Sequence, residues 1–572
     1  VTPQRAPAAL LIALGVALRA RAIGFTRVAD DWYHLSMVEG SYPVRRAPWE
    51  LYDFIRATPA EHAALLARGT FPWWTDPDLH IAAWRPLASL TLSLDHALWA
   101  RNTVGAHAHS LAWLAALLVA AWWWLAAILP RRVALLALAL LCADEALTVP
   151  TAWLANRPSL MSGAFGLVAM GVMARRRAEP TRAEAMRVAG LTIASMASGE
   201  YGFALAGCAV AYELVAGRGA LRERVRACAA VLLPCALYLA AWRALGHGVR
   251  GTVSYVDPIA HTATWLALAA VRLPALLAEL VLTVPVERAA SHVGAVFVGF
   301  VVAAVIAGIA LARGDGAQRR KAVGLGAGAL AALVPVLSAP PMGRLLLAAG
   351  PAFAASLAAL AGCAWSPVAG ACKGTAGAAR ALVVCAVALH LTAPVVRAWS
   401  DLAAPSWVTP DATFRALPGV DACHARDQDH VLLAARAFET VHTAPLRWQA
   451  RGCARPRTWR VLSVPDGDVI AVRTDDRTLT MQPRGGVLFS SVAALWRAAP
   501  MGAGDRVTMP GFEAAVQAVS GGLPARVAYT FDRSLDDPRV VLWQATPRGF
   551  EQVRPPALRG GRLVAAPSGA LR

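Results

Sequence analysis

Two adjacent carboxylates, Asp30 and Asp31, follow the first apolar block and precede Trp32-Tyr33-His34. A carboxylate pair beside a membrane exit suits general-base work: one takes a proton while the other orients it, or the two hold a metal. Further on lie Trp84-Arg85-Pro86-Leu87, then His107 and His109, then Asp144-Glu145 followed by Trp153 and Arg157, then Ser198-Gly199-Glu200. Arginine is planar, permanently charged and bidentate, which makes Arg85 and Arg157 natural partners for a phosphate. His107 and Glu200 complete that set. The glycine-rich stretch from Gly246 to Pro258 adds Arg250 for phosphate and Tyr255 for stacking on a sugar ring, and Arg344 follows Pro340-Pro341-Met342-Gly343 at another helix boundary. Taken singly, each of these groups is also what an ordinary solvated helix end looks like.

The elements that carry these residues are membrane spans. Of 572 residues, 57% are apolar and 16% charged, and the mean hydropathy is +0.48. Soluble chains carry about 25% charged residues, so a purely soluble enzyme, a disordered chain and a fibrous one are excluded. A crossing helix needs about 20 apolar residues. The first block is Pro7 to Phe25, read as an uncleaved first helix. Others lie at 107–129, 133–147, 158–174, 188–216, 227–245, 263–283, 293–312, 322–338, 344–363 and 379–398. Between the first two runs a long loop, 26–106, with a helix predicted at Thr58–Arg68 and an amphipathic surface helix at Pro86–Ala100.

The formal charge is +19, and all basic residues but Lys321 and Lys373 are arginines. They flank apolar blocks, which fits topology signals and argues against nucleic acid. Placing Arg131-Arg132, Arg175-Arg176-Arg177, Arg218 to Arg226 and Arg319-Arg320-Lys321 in the cytoplasm puts the N-terminus inside and 26–106 outside. It requires 188–216 to split at Ser198-Gly199-Glu200. It also requires 263–283, with Arg272, Pro274 and Glu279, to lie on or dip into the outer face rather than cross, with Pro274 interrupting its helix. The expectation is an all-α polytopic membrane domain, 1–400, of about 11 transmembrane helices. A small β-rich extracytoplasmic domain, 401–572, follows. Strands are predicted there at His430–Ala434, Trp459–Val464, Val469–Met481, Arg506–Met509, Ala525–Phe531 and Val540–Gln544, with a helix at Ala437–Ala450. Of nine cysteines, only Cys423 and Cys453 lie in this part. In an oxidising compartment a bridge between them closes a loop of about 30 residues, worth roughly 3.5–4 kcal/mol. No Cys/His cluster at metal spacing occurs, and the acidic pair is compatible with a divalent metal.

In order along the chain, Asp30-Asp31, Arg85-Pro86-Leu87, Gly105-Ala106-His107, Trp153 with Arg157, and Ser198-Gly199-Glu200 resemble the motifs of the polytopic GT-C glycosyltransferases. The resemblance is to the branch of the protein O-mannosyltransferases and their tetratricopeptide-bearing transmembrane relatives, and it covers residues 5–220. It implies transfer of a sugar from a polyprenyl-phosphate carrier to an acceptor outside the cytoplasm. It gives Asp30 or Asp31 the role of base or acceptor-positioning residue. One departure stands out. Many relatives carry a histidine and an acid just before the tryptophan motif, where this chain has Ala146 to Thr151 and its acids at Asp144-Glu145. Either the site is rearranged or the chain is a paralogue of altered or lost activity. The composition fits a bacterial inner-membrane protein. The alternative reading is a non-catalytic scaffold or an envelope-glycan export component. Matched halves with broken helices in corresponding places, expected of a transporter, are not found.

Overall fold

The computed structural model describes residues 6–175, 181–366, 373–403, 426–435, 441, 443–450, 452, 455–546, 549–558 and 561–565. Helix α1 (Ala6–Ala17) leads into the long loop, which holds α2 (Asp31–Val38), β1 (Asp53–Ile55), α3 (Pro59–Ala67), β2 (His80–Ala82) and α4 (Pro86–Trp99). There follow α5 (Thr103–Ile128), α6 (Arg131–Ala143), the short α7 (Thr148–Ala152), α8 (Arg157–Arg175), α9 (Arg182–Ser198), α10 (Tyr201–Ala216) and α11 (Leu221–Ala244). After β3 (Gly248–Arg250) come α12 (Thr262–Leu282), the one-turn α13 (Val286–Ala289), α14 (Val293–Arg313), α15 (Gly316–Val336), α16 (Gly350–Ala364) and α17 (Lys373–Ala403).

The chain is a multi-pass membrane protein. Among the described residues six helical segments are long and apolar enough to cross, and a seventh is formed if α6 and the segment Glu145–Ala152, bent by 56° to it, count as one. The outer helices expose large apolar side chains, such as Phe297, Val301 and Val305 on α14 and Leu233 and Leu237 on α11. An apolar patch of this extent is stable against lipid and not against water. Two further apolar helices, α10 and α16, are shorter, at 16 and 15 residues, and α16 buries Ala352, Ala355, Ala358 and Ala359 along its length.

Helix ends meet in alternation. At one face Arg175 lies over the Trp123 ring, 4.1 Å from its centroid. There too Arg224 donates to the Leu214 carbonyl at 3.1 Å, and Arg313 to that of Ala364 at 3.3 Å. This is the face of the basic links. At the other face Arg19, fully buried, donates to the Cys142 carbonyl at 2.8 Å. The block 188–216 does split, into α9 and α10, at Ser198-Gly199-Glu200.

Helix α12 is long enough to cross, yet its polar contacts run along the α15–α16 connection. Trp265 Nε1 donates to Ser338 Oγ at 3.2 Å, Arg272 to the Leu337 carbonyl at 2.8 Å, and Glu279 abuts Gly343. A helix of 21 residues is about 30 Å long. Its charges are buried in protein. Pro274 does not interrupt it, contrary to the expectation. A proline removes one hydrogen bond, and Leu276, Ala278 and Leu280 are packed beyond it. Helix α3 starts at the Thr58 cap as predicted. Helix α4 buries Ala88, Ser89, Leu92 and Asp95 and exposes Leu90, Leu94 and Leu98 at helical spacing, as a surface-lying helix does.

Beyond Asp429 the chain forms sheets. One has four strands in the order β12-β11-β4-β5: β4 (Asp429–Ala434) and β5 (Thr458–Ser463), joined through α18 (Ala444–Ala450), with the later β11 (Val540–Thr546) and β12 (Gly549–Val553). Strands β11, β4 and β5 run parallel. The other has six, in the order β13-β6-β7-β10-β9-β8, from β6 (Val469–Arg473), β7 (Thr478–Pro483), β8 (Arg506–Met509), β9 (Phe512–Ser520), β10 (Leu523–Phe531) and β13 (Arg562–Ala565). Two expectations change. The run Val469–Met481 is a hairpin of two strands, and β9, whose alanines give weak alternation, is a full partner of β10. Cys423, Cys453 and most of residues 437–442 lie outside the described residues.

The long loop and the C-terminal sheets share one hydrophobic core. Trp73 and Trp74 from the loop meet Phe489 edge-on at 5.7 and 5.0 Å between centroids. Trp73 Nε1 donates to the Leu462 carbonyl at 3.1 Å. The loop's β1 and β2 form a three-stranded sheet with β3, from the predicted turn-rich stretch 246–258.

Candidate active site

The site is built around the bend Trp153-Leu154-Ala155-Asn156 between α7 and α8. Pro158 is the second residue of α8, where a proline costs no hydrogen bond. The Ala155 N–H donates to Asp31 Oδ1 at 2.7 Å, and the Val28 N–H to Asp31 Oδ2 at 3.0 Å. The Ala155 carbonyl accepts from the Tyr52 hydroxyl at 3.0 Å. Asp31 is 3% exposed. Burial pushes its carboxyl up to about 7, against the two backbone N–H groups and Arg27, which favour the charged form. Asp30 is half-buried just before α2, after Ala29 in the left-handed region at φ 40°.

Asp31 lines a small, open-sided cavity whose polar lining is Arg27, Asp31, His34, Asp95 and His96, with Leu35, Leu92 and Leu154 among its apolar walls. Asp95 is held from behind. Arg157 pairs with its Oδ2 at 2.6 Å and His109 with its Oδ1 at 2.6 Å. Trp113 donates to His109 Nε2 at 3.0 Å, so the His109 proton sits on Nδ1, facing Asp95. Arg157 also donates to Ser110 Oγ at 2.9 Å and to the Ala106 carbonyl at 2.7 Å. It is 1% exposed, and its donors are spent on the protein. His107 is fully buried beside the backbone of Thr151 and Phe25.

A second group reaches the same bend. Arg85 pairs with Glu200 at 2.6 Å and lies over Tyr52, 4.8 Å from its ring centroid. Arg344 lies over Trp153 at 4.7 Å, with its Nε buried and without a partner. The Tyr201 hydroxyl meets the Arg344 carbonyl at 3.5 Å. Asp31, Arg85, Glu200 and Arg344 therefore gather at one bend. Tyr255 is half-buried. Arg250 is exposed, on β3 opposite His80, away from the bend's contacts.

The sequence reading missed Arg27, His34 and Asp95. Asp95 carried a signal: it falls three residues after Leu92 on the buried face of α4, where an acid is out of place. Among the described residues no group of three His, Cys, Asp or Glu side chains is placed to hold a metal ion.

No family model and no curated protein matches the sequence. Among solved structures, the chain is similar to the oligosaccharyltransferase of Archaeoglobus fulgidus in its apo form, with a TM-score of 0.45 and 11% identity over 81% of this chain and 65% of that one. It is also similar to ArnT from Cupriavidus metallidurans bound to undecaprenyl phosphate, with a TM-score of 0.41 and 12% identity over 79% of this chain and 89% of that one. The chain spans just under two thirds of the length of the oligosaccharyltransferase.

Proposed function

We propose that the chain is a membrane glycosyltransferase that moves a sugar from a polyprenyl-phosphate carrier to a hydroxyl acceptor outside the cytoplasm. The observation that carries this reading is Asp31: a buried carboxylate, in a cavity, with a proton affinity near neutrality. A general base works best when its pKa lies near the operating pH. As ionised Asp31 takes the acceptor's proton, the acceptor oxygen bonds to the anomeric carbon. The bond from that carbon to the carrier phosphate breaks, and its electron pair leaves on the phosphate. Arg344, stacked on Trp153 with an unpartnered Nε, and Arg85 are the cations at hand for that charge.

The basic links gathered at the opposite face support an orientation with those links in the cytoplasm. The long loop and C-terminal sheets then form one extracytoplasmic unit, in a bacterial inner membrane. The test is a transfer assay in detergent with polyprenyl-phosphate sugars as donors. Asp31→Asn should lower kcat by about 100-fold or more with little change in donor KM, because a base acts in the transition state. Transfer by Asp31→Asn at the wild-type rate would overturn the assignment.

A further inference from the structure

His34 lies three residues after Asp31 on α2, on the same helix face, and lines the same cavity. It is 4% exposed, yet neither ring nitrogen has a hydrogen-bond partner in the protein. Buried polar groups are normally paired, and an orphan calls for an explanation. The ring is not loose. It packs against Tyr52 at 4.5 Å and Phe54 at 5.5 Å between centroids, which fixes its plane. Burial and the field of Arg85 push its pKa down to about 3. The imidazole is therefore neutral and keeps one N–H donor and one lone pair.

We propose that His34 is the second hydrogen-bond partner of the acceptor, its N–H donating to the hydroxyl oxygen whose proton Asp31 takes. The inference rests on the transferase reading above. A hydroxyl oxygen offers one proton and two lone pairs. With the proton on Asp31 and one lone pair on His34, the remaining lone pair points at the sugar carbon. His34 gains and loses no proton. It touches the reacting oxygen and fixes its direction, which is how a positioned group accelerates a displacement.

The experiment uses the full chain in detergent, with polyprenyl-phosphate mannose as donor and acetyl-threonine amide as the hydroxyl probe. His34→Phe keeps the aromatic packing and removes both nitrogens. It should lower kcat/KM for the threonine probe by about tenfold or more, with donor KM and thermal midpoint unchanged. His34→Gln restores a donor and should recover a good part of the loss, which a purely structural role would not allow. A His34→Phe variant as active as wild type overturns the proposal. If the wild-type chain transfers nothing, the transferase reading fails, and His34 is judged by carbethoxylation mapped on peptides. Labelling of His34 that acetyl-threonine amide slows supports a hydroxyl-binding role. Labelling that the probe leaves unchanged, or no labelling, overturns it.

Discussion

The Asp31 carboxylate accepts a 2.7 Å hydrogen bond from the Ala155 N–H, 124 residues away in the chain. That one bond ties the long loop's acidic pair to the bend that carries Trp153 and Arg157, and it sets the depth at which the carboxylate is held.

The first prediction concerns pH. Asp31 has a pKa of about 7 in the folded chain against an ordinary 3.8. A raised carboxyl pKa means the folded state holds the proton that the unfolded state has released. The associated stability is fully present below about pH 4 and is lost as pH rises through 7. The thermal midpoint of the wild type should fall over that window more than that of Asp31→Asn. Parallel curves would show that Asp31 ionises at an ordinary pH.

A second prediction tests Asp95 and Arg157, which are 6% and 1% exposed. Arg157→Met leaves a buried carboxylate without its cation and should cost about 3–5 kcal/mol. Arg157→Met combined with Asp95→Leu should cost less than the sum of the two single changes, because the desolvated charge is gone too. Additive losses in chemical or thermal unfolding would mean the two groups do not interact.

The third lies at the join between loop and sheets. Gly69 has φ 66°, and a Cβ there would run into the Trp459 carbonyl. Gly69→Ala should destabilise by more than about 1 kcal/mol and raise amide exchange in β5 and around Trp73. Unchanged exchange would show that the contact yields without cost.

The fourth concerns Arg344. Arg344→Ala should weaken binding of polyprenyl phosphate by about tenfold, the loss of one charge-assisted contact. Arg344→Lys should recover only part, since lysine lacks the planar stack on Trp153. Quenching of tryptophan fluorescence by the lipid reads both. Equal affinity in all three proteins would remove Arg344 from the phosphate site.

By itself, the sequence determined what depends on near neighbours. The Thr58-capped helix, the helix from Pro86, the break at Ser198-Gly199-Glu200 and strands such as Arg506–Met509 all appear as read. These elements follow from periodicity, capping and composition within a few turns of chain. Tertiary structure decided what depends on distant partners. It spent Arg157 on Asp95, set Arg85 against Glu200, paired β3 with β2 and sank Trp73 into the C-terminal core. It also let α12 run past Pro274. A periodic pattern says which face of an element is buried but not what buries it. A charge's partner and its proton affinity are set by distance and desolvation, and those exist only once the chain has folded.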